Sequence, residues 1–242
     1  MKSINILLVA VGFLIMTACE NEKVNELEIE DSGKIGMLDW KLSECILTIS
    51  GTGAMEDMEK GETPWNSYVG IIKQIAIEDG VTTLGNYAFE NCTKLYFVTF
   101  PESVTSIEKY VFRGCSNLKE IVFPNSLKKI GYASFELSGL TSVTIPASVE
   151  QIDGWAFTKC NSLKSIVIDG PIERMGASIF AGYSDSPKVY AMEVKCRPFT
   201  VNANVFEIVN LSKSSLTVPK GTKELFESVS VWKNFGTITE KE

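Results

Sequence analysis

Six cysteines and no histidine set the chemistry open to this 242-residue chain. Without imidazole there is no Ser-His-Asp or Cys-His nucleophile, no His-ligated metal and no imidazole pH switch. Cys92, Cys115 and Cys160 recur at one position of a repeat, so a disulfide, a metal site or a ladder of buried thiols would each suit them. No CxxC pair accompanies them, which removes the usual zinc spacing. Ser138 interrupts the column, which favours buried thiols; a bridge between the neighbouring Cys92 and Cys115 stays open. Cys45 and Cys196 lie toward opposite ends, too far apart to meet. SGTGAM (50–55) lacks the lysine and following helix of a phosphate loop and reads as a tight turn. Glu56, Asp57, Glu59 and Glu62 cluster near Pro64 but match no calcium loop, and read as a solvated turn. G-x-S-x-G, P-loop and G-x-G-x-x-G patterns are absent, and no carboxylate pair is set at a fixed separation. The expectation is a chain without catalytic residues, cofactor or metal.

Composition narrows the partners. Lys and Arg number 23 against 30 Asp and Glu, a net charge of −7, which disfavours nucleic acid. Hydrophobic residues at 45% and charged residues at 22% describe a folded globular chain. At the N-terminus Lys2 precedes an apolar run from Ile4 to Met16, too short for the roughly 20 residues of a spanning helix and suited to a signal-peptide core. Thr17, Ala18 and Cys19 follow it, and this resembles the lipobox of a bacterial lipoprotein, with Met16 where Leu is usual. The resemblance implies acylation of Cys19 after removal of residues 1–18. Residues 19–32 carry Glu20, Glu22, Glu26, Glu28, Glu30 and Asp31 against Lys23, and read as a solvated tether. This acidic stretch also resembles the surface-export signal of Bacteroides-group lipoproteins; a plain spacer is the other reading.

The elements that must position any site come from a repeat. Five units run from 72 to 185 with a period of 23, one unit being 22 where 137–139 is a residue short. Their shared pattern is L-x-x-I-x-F/I-P-x-S-V-x-x-I-x-x-x-A-F-x-x-C. Phe89, Phe112, Phe135, Phe157 and Phe180 fill one column, and Ile77, Phe100, Phe123, Ile145 and Ile168 another. The pattern L-x-x-I-x-F predicts a short strand with alternate residues on one face, ended by Pro101, Pro124 and Pro146, which offer no ladder donor. Val104 and Ile107 begin a second short strand or turn. One such coil cannot close a core, so coils must stack and each column becomes a ladder.

This repeat resembles the BspA-like leucine-rich repeat of Bacteroidetes surface proteins. CILTISGTGAMEDMEKGETPWNSY (45–68) is similar to the turn that precedes such arrays, and LTVPKGTKELFESVSVWKNFGTITE (216–240) to their usual ending. Glu78 and Asp169 depart from the strand-ending proline, and Ser138 and Tyr183 from the repeat cysteine. The implied fold is mainly β: a solenoid of 23-residue coils with short parallel strands, capped at both ends, with one short C-terminal helix. The segments are a cap at 33–70, five repeats at 71–185, and degenerate repeats with a C-terminal cap at 186–242. Ile46 to Ile49, VYAMEV (189–194) and SLTV (215–218) read as strands, and Thr222 to Val229 as the helix. Trp65 is predicted to cover the first coil, Phe206 to extend the Phe column, and Trp232 and Phe235 to seal the last coil.

Two stripes face outward on such a solenoid. On the first strand these are Gln74 and Ala76, Phe97 and Thr99, Glu120 and Val122, Ser142 and Thr144, Ser165 and Val167. Tyr96 and Phe97 stand out among them, since exposed aromatics are costly without a purpose. The second stripe lies two before each Phe: Tyr87, Tyr110, Ala133, Trp155 and Ser178. Both stripes either bind a ligand or pack against a neighbouring loop. Lys128 and Lys129 make a small basic spot. The resemblance implies a monomeric, non-catalytic, adhesin-like protein, lipid-anchored at the outer membrane and exposed on the cell surface, with a protein or glycan ligand. A glycan-binding accessory lipoprotein of a polysaccharide-uptake system is the alternative.

Overall fold

The computed structural model describes residues 29–182, 188 and 190–241. Cys19, residues 1–18 and most of the acidic stretch lie outside them, as do Tyr183 and Val189. Asp31 and Ser32, which composition assigns to the tether, open a strand, Asp31–Ile35.

The coils build two parallel ladders. The first holds Ile46–Gly51, Gln74–Ile77 and Phe97–Thr99, and resumes with Ser142–Ile145, Ser165–Ile168, Ala191–Val194, Ser215–Val218 and Thr237–Glu240. Partners stand one repeat apart, Ile75 opposite Val98 and Val143 opposite Ile166, so each apolar column stays on its own side of the sheet. The second ladder is unbroken: Gly53–Ala54, Val81–Leu84, Ser106–Ile107, Lys129–Ile130, Gln151–Ile152 and Arg174–Met175.

The first ladder departs from expectation at 118–123, where the third unit forms no strand. Two causes coincide there. Pro101, Pro124 and Pro146 fall in three successive coils and cannot donate the closing bond that Glu78 N (to Ile49 O, 2.9 Å) and Asp169 N (to Ile145 O, 3.0 Å) supply elsewhere. Phe100 and Phe123 replace the column's isoleucines, and their rings lie 6.5 Å apart, wider than the ~4.8 Å strand spacing. Val122 is left 79% exposed.

The predicted Phe column is the core. Phe89, Phe112, Phe135, Phe157 and Phe180 are fully buried and stack face to face, with centroids 5.5, 5.3, 5.2 and 5.7 Å apart in succession. Each buried ring contributes about 1.5–3 kcal/mol. Phe206 extends the stack at 6.0 Å, as predicted. Cys92, Cys115 and Cys160 line its flank as free, buried thiols, so the Cys92–Cys115 bridge is not formed. Cys115 Sγ donates to Phe89 O (3.3 Å) and Cys160 Sγ to Phe135 O (3.1 Å), each reaching back one coil.

Both ends are closed. Leu38–Ser43 pairs antiparallel with Asp31–Ile35 and with Ile46–Gly51, covering the first coil with a hairpin that the repeat pattern does not predict. Trp65 continues the aromatic column at 5.8 Å from Phe89, and its Nε1 donates to Ala88 O at 2.7 Å. At the far end the helix Lys223–Ser228 lies within the predicted span, and Phe226 and Trp232 are fully buried against each other. Phe235 stacks on Trp232 at 6.2 Å.

Candidate functional site

The stripe two before each Phe sits on a backbone that bulky residues rarely adopt. Tyr87, Tyr110, Ala133, Trp155 and Ser178 all have left-handed φ, between 50° and 64°. This conformation costs an L-residue about 1–2 kcal/mol. From this turn every second N–H group points at the next coil. Tyr87 N, Phe89 N and Asn91 N donate to Lys109 O, Val111 O and Arg113 O at 2.9, 3.0 and 2.7 Å, and the pattern repeats along the array. The interlocking bonds hold the turn, and Tyr87, Tyr110 and Trp155 reach the surface from it; Ser178, expected to face outward, is buried and its hydroxyl donates to Glu207 at 2.8 Å.

There the aromatics form one continuous row. Tyr87 stacks on Tyr110 with centroids 4.8 Å apart and planes 15° apart. Tyr110 meets Tyr132 edge to face at 5.5 Å, and Tyr132 stacks on Trp155 at 5.9 Å. Ala133 is fully buried and leaves a gap in the column, which Tyr132, one residue earlier, fills. Sequence columns alone miss Tyr132; an aromatic directly beside a gap is the signal that points to it. The three tyrosines are half-buried and Trp155 is 42% exposed. Among the described residues, none of the three phenolic hydroxyls nor Trp155 Nε1 has a hydrogen-bond partner. Burial, with Tyr132 and Tyr87 alongside, pushes the Tyr110 hydroxyl up, so it stays protonated at neutral pH.

A charged column runs beside the row, one residue after Phe89, Phe112 and Phe135, and Lys159, two after Phe157, adds to it from the next coil. Arg113 bridges Glu90 (2.7 Å) and Glu136 (2.8 Å), and Lys159 reaches Glu136 at 3.4 Å. The two carboxylates are nearly buried, with side chains 5% and 6% exposed. The Arg113 guanidinium also lies over the Tyr110 ring, 5.8 Å from its centroid. Glu136 and Glu90 hold Arg113 above its ordinary range, against the pull of burial. Row and column together make one edge whose geometry is fixed from both sides.

The other sequence candidates lie elsewhere. Phe97 is half-buried on the outward side of Phe97–Thr99, in register with Gln74 on the first ladder, and Tyr96 precedes that strand. The structure therefore does not join Tyr96 and Phe97 to the stripe of Tyr87, Tyr110 and Trp155. Lys128 and Lys129 do not form a free basic spot: they pair with Glu150 and Glu108. Glu56, Asp57, Glu59 and Glu62 are exposed, and no metal-holding cluster occurs among the described residues. No helix among them is long and apolar enough to cross a membrane.

Residues 67–189 match the family model described as BspA type leucine rich repeat region, in six copies. Among solved structures the chain is similar to a leucine-rich repeat protein from Eubacterium ventriosum, at 18% identity and a TM-score of 0.51, over 87% of this chain and 68% of that one. It is also similar to the pneumococcal vaccine antigen PcpA, at 22% identity and a TM-score of 0.52, over 71% of this chain and 44% of PcpA. At these identities the likeness is one of fold. No curated protein matches the chain.

Proposed function

The chain belongs to the BspA type leucine rich repeat family, and from that premise we propose that it is a non-catalytic, adhesin-like binding protein that docks a polypeptide partner on its aromatic and charged edge. Leucine-rich-repeat proteins are typically non-enzymatic, and a rigid ladder of coils suits presentation of a fixed surface. The observation that carries the reading is the row Tyr87, Tyr110, Tyr132 and Trp155, three of them on left-handed backbone and Tyr132 next to left-handed Ala133, with unpaired polar tips among the described residues. Strained residues persist where surrounding structure enforces them and are concentrated at functional surfaces. Tyr, Trp and Arg are the residues that anchor protein interfaces.

The same geometry weighs against the glycan alternative. A sugar ring stacks on an open aromatic face, and most faces in this row are turned onto one another. The edge offers rims, hydroxyls and charges instead, which suit a polypeptide. The lipid anchor at Cys19, the tether and a position at the outer-membrane surface belong to the same proposal; they rest on the lipobox resemblance of residues 1–19. Radiolabelled palmitate should enter the chain and not its Cys19→Ala variant; label in that variant would remove the anchor. For binding, the full chain is offered matrix proteins, mucin and outer-membrane extracts. Protease-sensitive capture that Trp155→Ala and Tyr110→Ala each reduce at least tenfold is expected. Capture that survives protease but not glycosidase treatment would favour the glycan reading.

A further inference from the structure

The edge has an unfinished end. Trp65 occupies the Phe column one coil before Phe89, so Thr63 stands where the aromatic row would continue and Asn66 where the charged column would continue. Small neutral side chains at both places open a recess lined by Lys60, Thr63, Asn66, Tyr87, Glu90 and Asn91. Tyr110 covers one face of the Tyr87 ring, and the recess lies beside the ring at the end of the row. Glu90 spends Oε1 on Arg113, and no bond engages its Oε2 among the described residues. Thr63 is only 7% exposed, yet its hydroxyl has no hydrogen-bond partner among the described residues.

We infer that this recess takes an arginine side chain from the polypeptide partner. The molecule holds its own precedent one coil on, where the Arg113 guanidinium lies over Tyr110 while bonding Glu90 and Glu136. The charged column reads Glu90, Arg113, Glu136, with Lys159 reaching Glu136 from the following coil, so a carboxylate here has a cation on either side; toward the N-terminus of Glu90 the chain supplies the neutral Asn66 in that place. A guanidinium is planar, stacks on an aromatic face and offers several donors at once. It would lie on Tyr87, bond Glu90 Oε2 and leave a donor for the Thr63 hydroxyl. A net charge of −7 steers cationic partners toward the chain. Lys60, on the rim, carries the one opposing charge of the lining and competes for Glu90.

This inference rests on the reading of the edge as a protein-docking surface, but its test needs no natural partner. The probe is the acetylated, amidated tripeptide Gly-Arg-Gly, set against its citrulline counterpart and followed by NMR of the full chain in detergent. Saturable shifts at Thr63, Asn66 and Tyr87 are expected with arginine, and at least tenfold weaker ones with citrulline. Glu90→Gln should weaken binding at least tenfold and Lys60→Ala should tighten it severalfold. Asn66→Phe, which fills the recess from an exposed position, should abolish binding while melting stays unchanged. Equal response to arginine and citrulline, shifts spread over the acidic surface, or binding that survives Asn66→Phe would overturn the site. Partner capture that is retained while the probe fails would strike this inference alone.

Discussion

Cys92, Cys115 and Cys160 show how one residue type can suggest chemistry and serve packing. Burial alone pushes the Cys92 thiol up to about 12, and burial, outweighing the Ser138 bond, does the same for Cys160. At pH 8 about one such thiol in ten thousand is the reactive thiolate. Iodoacetamide should therefore label Cys92, Cys115 and Cys160 only at the rate of unfolding; rapid labelling in native buffer would contradict their place in the core. Ser138 substitutes for sulfur because its hydroxyl lies 3.2 Å from Cys160 Sγ and keeps the flank bonded. The sequence column already favoured this reading, since a ligand set would not tolerate Ser138. Arg113 is the opposite case. Nothing in its spacing distinguishes it, because its importance depends on Glu90 and Glu136 closing on it from adjacent coils. Arg113→Ala should cost about 3 kcal/mol in urea unfolding, the penalty of leaving buried carboxylates without their cation. A loss below half a kcal/mol, the size expected of a plain surface substitution, would show that the column is solvated.

At the scale of elements, the two ladders differ in continuity, and this difference was not legible in the repeat. A shared pattern specifies which residues face inward; it does not weigh two phenylalanines against two isoleucines across a fixed coil spacing. The break at 118–123 should appear in hydrogen exchange. Amides of Ile121, Val122 and Phe123 should exchange rapidly, while those of Val143 and Ile166, which sit in the paired strands, stay protected. Uniform protection across all coils would restore the missing strand. In the second ladder, Glu108 illustrates a pH-dependent contribution. Burial raises its carboxyl, but bonds from Lys129 and Ser106 outweigh burial and hold it below the usual range. A carboxyl lowered on folding stabilises above its unfolded value and loses that contribution as pH falls through the folded one. Glu108→Gln should flatten the loss of stability between roughly pH 5 and pH 3; an unchanged acid limb would remove the pair from the account. Caps were partly readable. Trp65, Trp232 and Phe235 declare themselves as large aromatics outside the period, whereas the strand Leu38–Ser43 has no repeat partner to reveal it.

At the scale of the molecule, stacking converts a one-dimensional pattern into two kinds of surface. Columns that recur with the same residue, such as the Phe column, become core and were legible at once. Columns that recur with aromatic character but not strict position become the edge, and their composition was legible only in part. Tyr132 joins Tyr110 and Trp155 because the small, buried Ala133 leaves the column's place open to its neighbour's ring, a consequence of side-chain size that matching the units column by column does not contain. Tyr96 and Phe97 looked equally suitable as letters, and the coil assigns them to the first ladder.

The claim that this edge, and not the strand face, meets a protein partner is tested most directly by site-specific photocrosslinking. A photoreactive side chain is placed at Trp155 or at Thr144, the latter exposed on the strand Ser142–Ile145, with the full chain displayed to matrix and mucin proteins. A crosslinked protein adduct at 155, absent at 144 and competed away by unlabelled chain, is the predicted result. Adducts at 144 with none at 155 would contradict the account.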